Sequence, residues 1–176
     1  MFLKKIEKAG HGPVPCPASS SAASSSTLQA IGANIYKEVK GDFVIMATVE
    51  DMEGLSERKV KSWNDGGILV VADSTCYQLG AFPLYNSGNM FTIVCGDQRP
   101  QYPNHTGYAF HRYLQFERRG SQLFARTSAD GTTWENMPGS PVEVKTPTMK
   151  LGTYQTTYSQ TPSWVKLKDF VIYSKE

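Results

Sequence analysis

The chain has 176 residues, with 18 Lys plus Arg against 16 Asp plus Glu. That length points to one domain able to bury roughly 70% of its unfolded surface without help from a metal or disulfide. The near balance of charge offers neither a basic field for nucleic acid nor a polybasic membrane patch, and no apolar run approaches the ~20 residues of a membrane-spanning helix.

Met1 to Lys8 reads M-F-L-K-K-I-E-K, which is basic but is not followed by the apolar stretch of a secretory signal. Residues 10–27 are dominated by Gly, Pro, Ser and Ala. Such a segment buries too little apolar area to offset the entropy of ordering it. Residues 1–27 are therefore expected to be a flexible tail or linker that tethers the domain to a larger polypeptide, and residues 28–176 to be the domain itself.

From Leu28 onward the pattern is that of short strands. Phe43 to Val49 is a continuous apolar strand, followed by a charged loop from Asp51 to Lys61, and Gly67 to Ala72 is a second apolar strand. Tyr77 to Phe82 and Met90 to Val94 flank P-L-Y-N-S-G-N, a hairpin loop. Tyr113 to Arg118 and Gln122 to Ser128 flank Arg119-Gly120-Ser121, a second hairpin, and Asp130-Gly131 is a tight-turn signal. Val142 to Val144, Lys150 to Thr156 and Val165 to Tyr173 complete the series. Aromatic residues (11% of the chain) and frequent β-branched side chains suit strands. Without a helical stretch, the arrangement indicates an antiparallel sandwich or barrel.

The second hairpin predicts a functional face. With Arg119-Gly120 as its two-residue turn, Glu117 pairs with Gln122, Gln115 with Phe124 and Tyr113 with Arg126. Side chains alternate across a strand, so Leu114, Phe116, Leu123 and Ala125 share the core face. Tyr113, Gln115, Glu117, Phe124 and Arg126 share the other. A face mixing rings with donors and acceptors suits a sugar, whose ring stacks while its hydroxyls hydrogen-bond; a solvated face with ordinary cross-strand pairs is the plain alternative.

The order and spacing of several motifs carry a family resemblance. G-D-F at 41–43 precedes the first strong strand, D-G-G-I-L-V-V-A-D follows at 65–73, and Y-L-Q-F-E-R-R-G-S-Q-L-F-A-R-T-S-A-D-G-T-T-W spans 113–134. K-L-G-T-Y lies at 150–154 and V-K-L-K-D-F-V-I-Y at 165–173. Together they resemble concanavalin A-like bacterial domains, found alone or appended to glycoside hydrolases. The resemblance implies an all-β, antiparallel jelly-roll sandwich of two curved sheets. It also implies a carbohydrate, an oligo- or polysaccharide, bound on a concave face, and an extracellular or periplasmic setting. The chain departs from such domains at Asp65-Gly66-Gly67, where they carry Asp-Gln-Ala-Gly, and at Gln115, where they carry Arg.

The chemistry-bearing residues fit binding better than catalysis. A glycosidase needs two carboxylates roughly 5–5.5 Å apart for retention or 6.5–9.5 Å for inversion. The E-x-D-x-x-E and E-x-D-x-E strings of laminarinase-type enzymes do not occur. Glu50, Asp51 and Glu53 come nearest, at a strand end, and Glu117 stands beside Arg118 and Arg119. No catalytic residue is assigned, and a glycoside hydrolase built from distant carboxylates is the rival reading. His11, His105 and His111 show no metal-ligand spacing, so neither metal nor cofactor is expected. S-A-D-G-T-T-W at 128–134 also resembles a sialidase Asp-box but is one residue short and occurs once; Asp130-Gly131 reads as a turn and Trp134 as a packing residue. Of three cysteines, Cys16, Cys76 and Cys95, the last two fall on the arms of one hairpin and are read as thiols, with a bridge as the alternative. The expected carbohydrate-binding set is Tyr113, Gln115, Phe124 and Arg126, supported by Trp63 and Tyr77 and bordered by His111.

Overall fold

The computed structural model describes residues 4–6, 30–52, 64–81, 88–95, 101–105, 111–157 and 164–175. Among them run thirteen strands: β1 (Lys4–Ile6), β2 (Ala30–Lys40), β3 (Phe43–Met52), β4 (Asn64–Ala72), β5 (Thr75–Ala81), β6 (Asn89–Cys95), β7 (Gln101–His105), β8 (Tyr113–Arg119), β9 (Gln122–Ser128), β10 (Glu135–Asn136), β11 (Val142–Glu143), β12 (Thr148–Thr157) and β13 (Val165–Ser174). They form two antiparallel sheets. A seven-stranded sheet has the order β1-β13-β3-β8-β9-β10, with β11 also pairing β9; a six-stranded sheet has the order β2-β12-β4-β5-β6-β7.

The sheets pack face to face because each strand turns its alternate apolar residues the same way. From the seven-stranded sheet come Phe43, Ile45, Ala47, Val49, Leu114, Phe116, Leu123, Ala125 and Ile172; from the six-stranded sheet come Ile68, Val70, Tyr77, Leu79, Phe91, Met149 and Leu151. All belong to one continuous core, against which Phe170 is partly buried. The rings of Phe91 and Phe116 meet edge to face across it, centroids 6.0 Å apart and planes at 66°. Such a pair adds to the area that each ring removes from water. Arg118, next to the β8–β9 turn, ties that turn to the segment before β12. Arg118 is buried, and each of its three guanidinium nitrogens donates to a carbonyl: Gly120 at 2.7 Å, Thr146 at 2.8 Å and Pro147 at 2.9 Å. A buried charge with several acceptors avoids the desolvation penalty of an unpaired one.

The β8–β9 hairpin keeps the expected faces but not the expected partners. Arg119 pairs with Gln122, Glu117 with Phe124, Gln115 with Arg126 and Tyr113 with Ser128. The turn is therefore Gly120-Ser121, one position later than Arg119-Gly120. Gly120 has φ +59°, and a turn with positive φ at its first central residue selects glycine there. Arg119 in that place would be strained. The resulting slip is two residues, one full side-chain period, so every residue keeps its face.

Two further departures concern the ends of the expected domain. Lys4–Ile6, inside the segment read as a flexible tail, forms an edge strand with Lys4 opposite Ser174 and Ile6 opposite Ile172. It occupies the backbone groups that β13 would otherwise leave open at the sheet edge. Residues 7–29 lie outside the described residues. Ala30–Lys40, which the sequence reading passed over, pairs along its length with β12.

Phe116→Ala removes the ring on which the sheets meet and should lower stability by about 3–5 kcal/mol. Urea unfolding of the variant checks this; an unchanged midpoint would mean that the two sheets do not depend on a shared core at this ring.

Candidate functional site

The sandwich has two outward faces, and they differ in kind. On the seven-stranded sheet, register builds three rows running β13-β3-β8-β9. They are Tyr173-Val44-Glu117-Phe124, Val171-Met46-Gln115-Arg126 and Lys168-Thr48-Tyr113-Ser128. Tyr113, Gln115, Phe124 and Arg126 are thus neighbours on one surface, as their alternation implies.

Their polar groups hold one another. Glu117 accepts from Arg119 Nε at 2.6 Å and from Arg126 Nη1. Arg126 Nε donates to Asn136 Oδ1 at 3.0 Å. The guanidinium carbons of Arg126 and Arg119 stand 4.7 and 5.6 Å from the centre of the Phe124 ring, within cation–π range. Gln115 is nearly buried, its Nε2 3.4 Å from Met46 Sδ. The Tyr113 ring lies beside Gly131, where a Cβ would come within 3.2 Å of Cε1 and φ is +78°. Gly131 belongs to the loop 129–134 between β9 and β10. That loop is longer than the tight turn expected from Asp130-Gly131, and Asp130 organises it. Its Oδ1 accepts from the amides of Thr133 and Thr132, each at 2.7 Å, and from Ser128 Oγ at 3.0 Å. These bonds, the Thr133 amide first, hold the carboxyl well below the usual carboxylate range.

The other expected site residues lie elsewhere. Tyr77 points into the core between the sheets. It sits on β5 opposite Val70 and Ile93, on the wrong face of the wrong sheet to join Phe124. His111 precedes β8 and is buried, with Nδ1 3.0 Å from Thr127 Oγ1. Its backbone is clamped by Asn89, which accepts from His111 N and donates to His111 O, both at 2.8 Å. His111 thus ties the start of β8 to β6. Trp63 lies outside the described residues.

The outward face of the six-stranded sheet was not anticipated. Its rows across β12-β4-β5-β6 are Thr156-Asp65, Tyr154-Gly67-Gly80-Met90, Gly152-Leu69-Gln78-Thr92 and Lys150-Val71-Cys76-Val94. Leu69, Cys76 and Tyr154 form an apolar cluster separate from the main core. Asp65, Gln78, Met90, Thr92, Tyr154 and Thr156 are each no more than 4% exposed, so this outward face is covered. Tyr154 Oη donates to the Asp65 carboxyl, 2.8 Å from either oxygen. The pair meets above Gly80, where a Cβ would stand 2.6 Å from Asp65 Oδ1; only a residue without a side chain admits them. Burial pushes the Asp65 carboxyl up to about 7, against the opposing hydrogen bonds from Tyr154 and the Gly66 backbone. Gln78 Nε2 and Thr92 Oγ1 are buried and have no hydrogen-bond partner. Cys76 is disulfide-bonded, which replaces the reading of it as a thiol; the side chains of Cys16 and Cys95 lie outside the described residues. Among the described residues, no group of three or more His, Cys, Asp or Glu is placed to hold a metal ion.

No family model matches the chain, and no curated protein matches it in sequence. Among solved structures, a functionally unknown protein from Saccharomyces cerevisiae is similar to it, with a TM-score of 0.51 and 13% identity over 81% of this chain and 72% of that one. At that identity the likeness speaks to the fold alone.

The position of Asp65 has a measurable signature. Its folded pKa lies above its unfolded one, so the stability it contributes is present below about pH 4 and is lost as pH rises to about 7. The loss should be on the order of 4 kcal/mol. Asp65→Asn should flatten that slope and leave the variant more stable than the parent above pH 7. Unfolding curves of both proteins from pH 4 to 8 check this, and parallel profiles would contradict it.

Proposed function

We propose that the domain is a non-catalytic carbohydrate-binding or accessory module of the concanavalin A-like, jelly-roll type. Its glycan lies on the outward face of the seven-stranded sheet. One observation carries the reading: Phe124 presents a half-buried ring flanked by the guanidinium groups of Arg126 and Arg119, at 4.7 and 5.6 Å. A sugar ring packs against this guanidinium–aromatic stack while the guanidinium N–H groups not held by Glu117 and Asn136 donate to its hydroxyls. Glu117, held between two arginines, keeps the platform in place and serves as an ionic strut rather than a nucleophile. Gln115 and Tyr113 border the platform along β8.

Hydrolysis is the rival reading and draws on Asp65, which keeps its proton up to about pH 7, the state required of a general acid. That carboxyl, however, is 2% exposed and bound by Tyr154, and it lies on the opposite outward face from Phe124.

Binding on such an open face is expected to be weak, in the millimolar range that corresponds to about 4 kcal/mol. Phe124→Ala and Arg126→Ala should each reduce affinity roughly 5- to 100-fold, equivalent to about 1–3 kcal/mol, with little change in melting temperature. Calorimetric or NMR titration of a glycan panel against the parent and both variants tests this. A glycan that binds the variants as well as the parent would move the site elsewhere, and release of reducing ends would favour the hydrolase.

A further inference from the structure

We propose that the covered outward face of the six-stranded sheet holds an internal binding site for a small uncharged molecule carrying hydroxyl groups, built around Gln78 and Thr92. The site is separate from the Phe124 face and does not rest on the glycan reading. Gln78 on β5 and Thr92 on β6 stand directly opposite each other and point to the same side of the sheet. They are 3% and 2% exposed, yet Gln78 Nε2 and Thr92 Oγ1 have no hydrogen-bond partner. Folded proteins seldom leave buried polar atoms unmatched, and each such atom costs stability unless something satisfies it. Two of them side by side, on neighbouring strands, share one missing partner.

The chemistry of that partner follows from the groups that await it. Gln78 Nε2 only donates, whereas a threonine hydroxyl both donates and accepts. A hydroxyl oxygen accepts from the first and exchanges a hydrogen bond with the second. The surroundings favour a neutral molecule: Leu69 is the neighbour of Gln78 in its row, and Met90 is two residues before Thr92 on β6. The buried carboxyl on this face, Asp65, is bonded to Tyr154 and holds its proton up to about neutral pH. Among the described residues a lone water would find these two unmatched partners, the low end of what a buried water takes. A hydroxyl on a carbon frame keeps both and adds apolar contact with Leu69 and Met90. The ligand class is therefore a polyol or a single sugar ring.

The test uses the full chain labelled with 13C at its Met and Thr methyl groups. Glycerol, glucose, galactose and mannose are each titrated with overnight equilibration, so that slow entry is counted. Saturable shifts of the Met90 and Thr92 methyls are expected with at least one probe. Thr92→Val and Gln78→Leu keep the side-chain volume and remove the polar group, so both variants should fold with unchanged or higher melting temperature. Their affinity for that probe, read at Met90, should fall at least tenfold, while Phe124→Ala should leave it unchanged. The proposal is overturned if no probe gives a saturable shift, if the affinity survives both substitutions, or if a high-resolution crystal structure grown with the probe shows only water on these two side chains.

Discussion

The edge-to-face contact of Phe91 with Phe116 is where the two sheets become one body, and both candidate surfaces depend on it. Phe116 can face Phe91 only if β8 sends its even-numbered residues inward. The same constraint sends Tyr113, Gln115 and Glu117 out together, and β9 answers with Phe124 and Arg126. On the other sheet, turning Phe91 and Leu79 inward sends Gln78, Gly80, Met90 and Thr92 outward. The chemistry of each outer face is thus the complement of a packing decision made in the core. A side chain can be moved between faces only by an odd slip in register, which would bury charge and expose leucine.

How much of this could be read from the residues differs between the sheets. In β8 and β9, apolar and polar residues alternate cleanly, so the residues alone assign the two faces. The pairing within the hairpin was misplaced by one full period because the turn was centred a residue too early. The decisive clue was local, since Gly120 alone among residues 119–121 takes positive φ without strain. In β4 and β5 the strands are buried on both sides, and G-I-L-V-V-A gives no alternation from which to choose a face. Tyr77 was accordingly assigned to a binding surface although it packs in the core. The polar set of Asp65, Gln78 and Thr92 went unrecognised because its members are far apart in sequence and meet only through strand pairing. β2 was legible in principle. Ile31, Ala33 and Ile35 share one parity, but Gly32 and Asn34 between them read as turn residues, and the register shift opposite Leu151 and Gly152 breaks the alternation before Val39.

The two outward faces also use their polar groups in opposite ways. On the seven-stranded sheet, charges are partly exposed and paired: Glu117 and Arg126 retain 16% and 18% of their side-chain surface. Such a network is forgiving, because water stands ready to replace a lost partner. On the six-stranded sheet, polar atoms are sealed in, and each must find its partner within the protein or in a bound molecule. Tyr154 and Asp65 have done so through the space left by Gly80. Gln78 and Thr92 have not.

A two-residue slip in the β8–β9 hairpin preserves the face of every side chain, and this has an evolutionary side. A re-pairing by one period would leave Leu114, Phe116, Leu123 and Ala125 facing inward, but it would carry Leu123 and Ala125 ~7 Å along the strand and break the bonds of Ala125 to Met137 and Ser140. Outside, the same slip would give Glu117, Phe124 and Arg126 new neighbours, breaking one charge arrangement and composing another. Hairpins of this kind can change the neighbours on a surface without exchanging inward and outward residues, at the cost of repacking the interior.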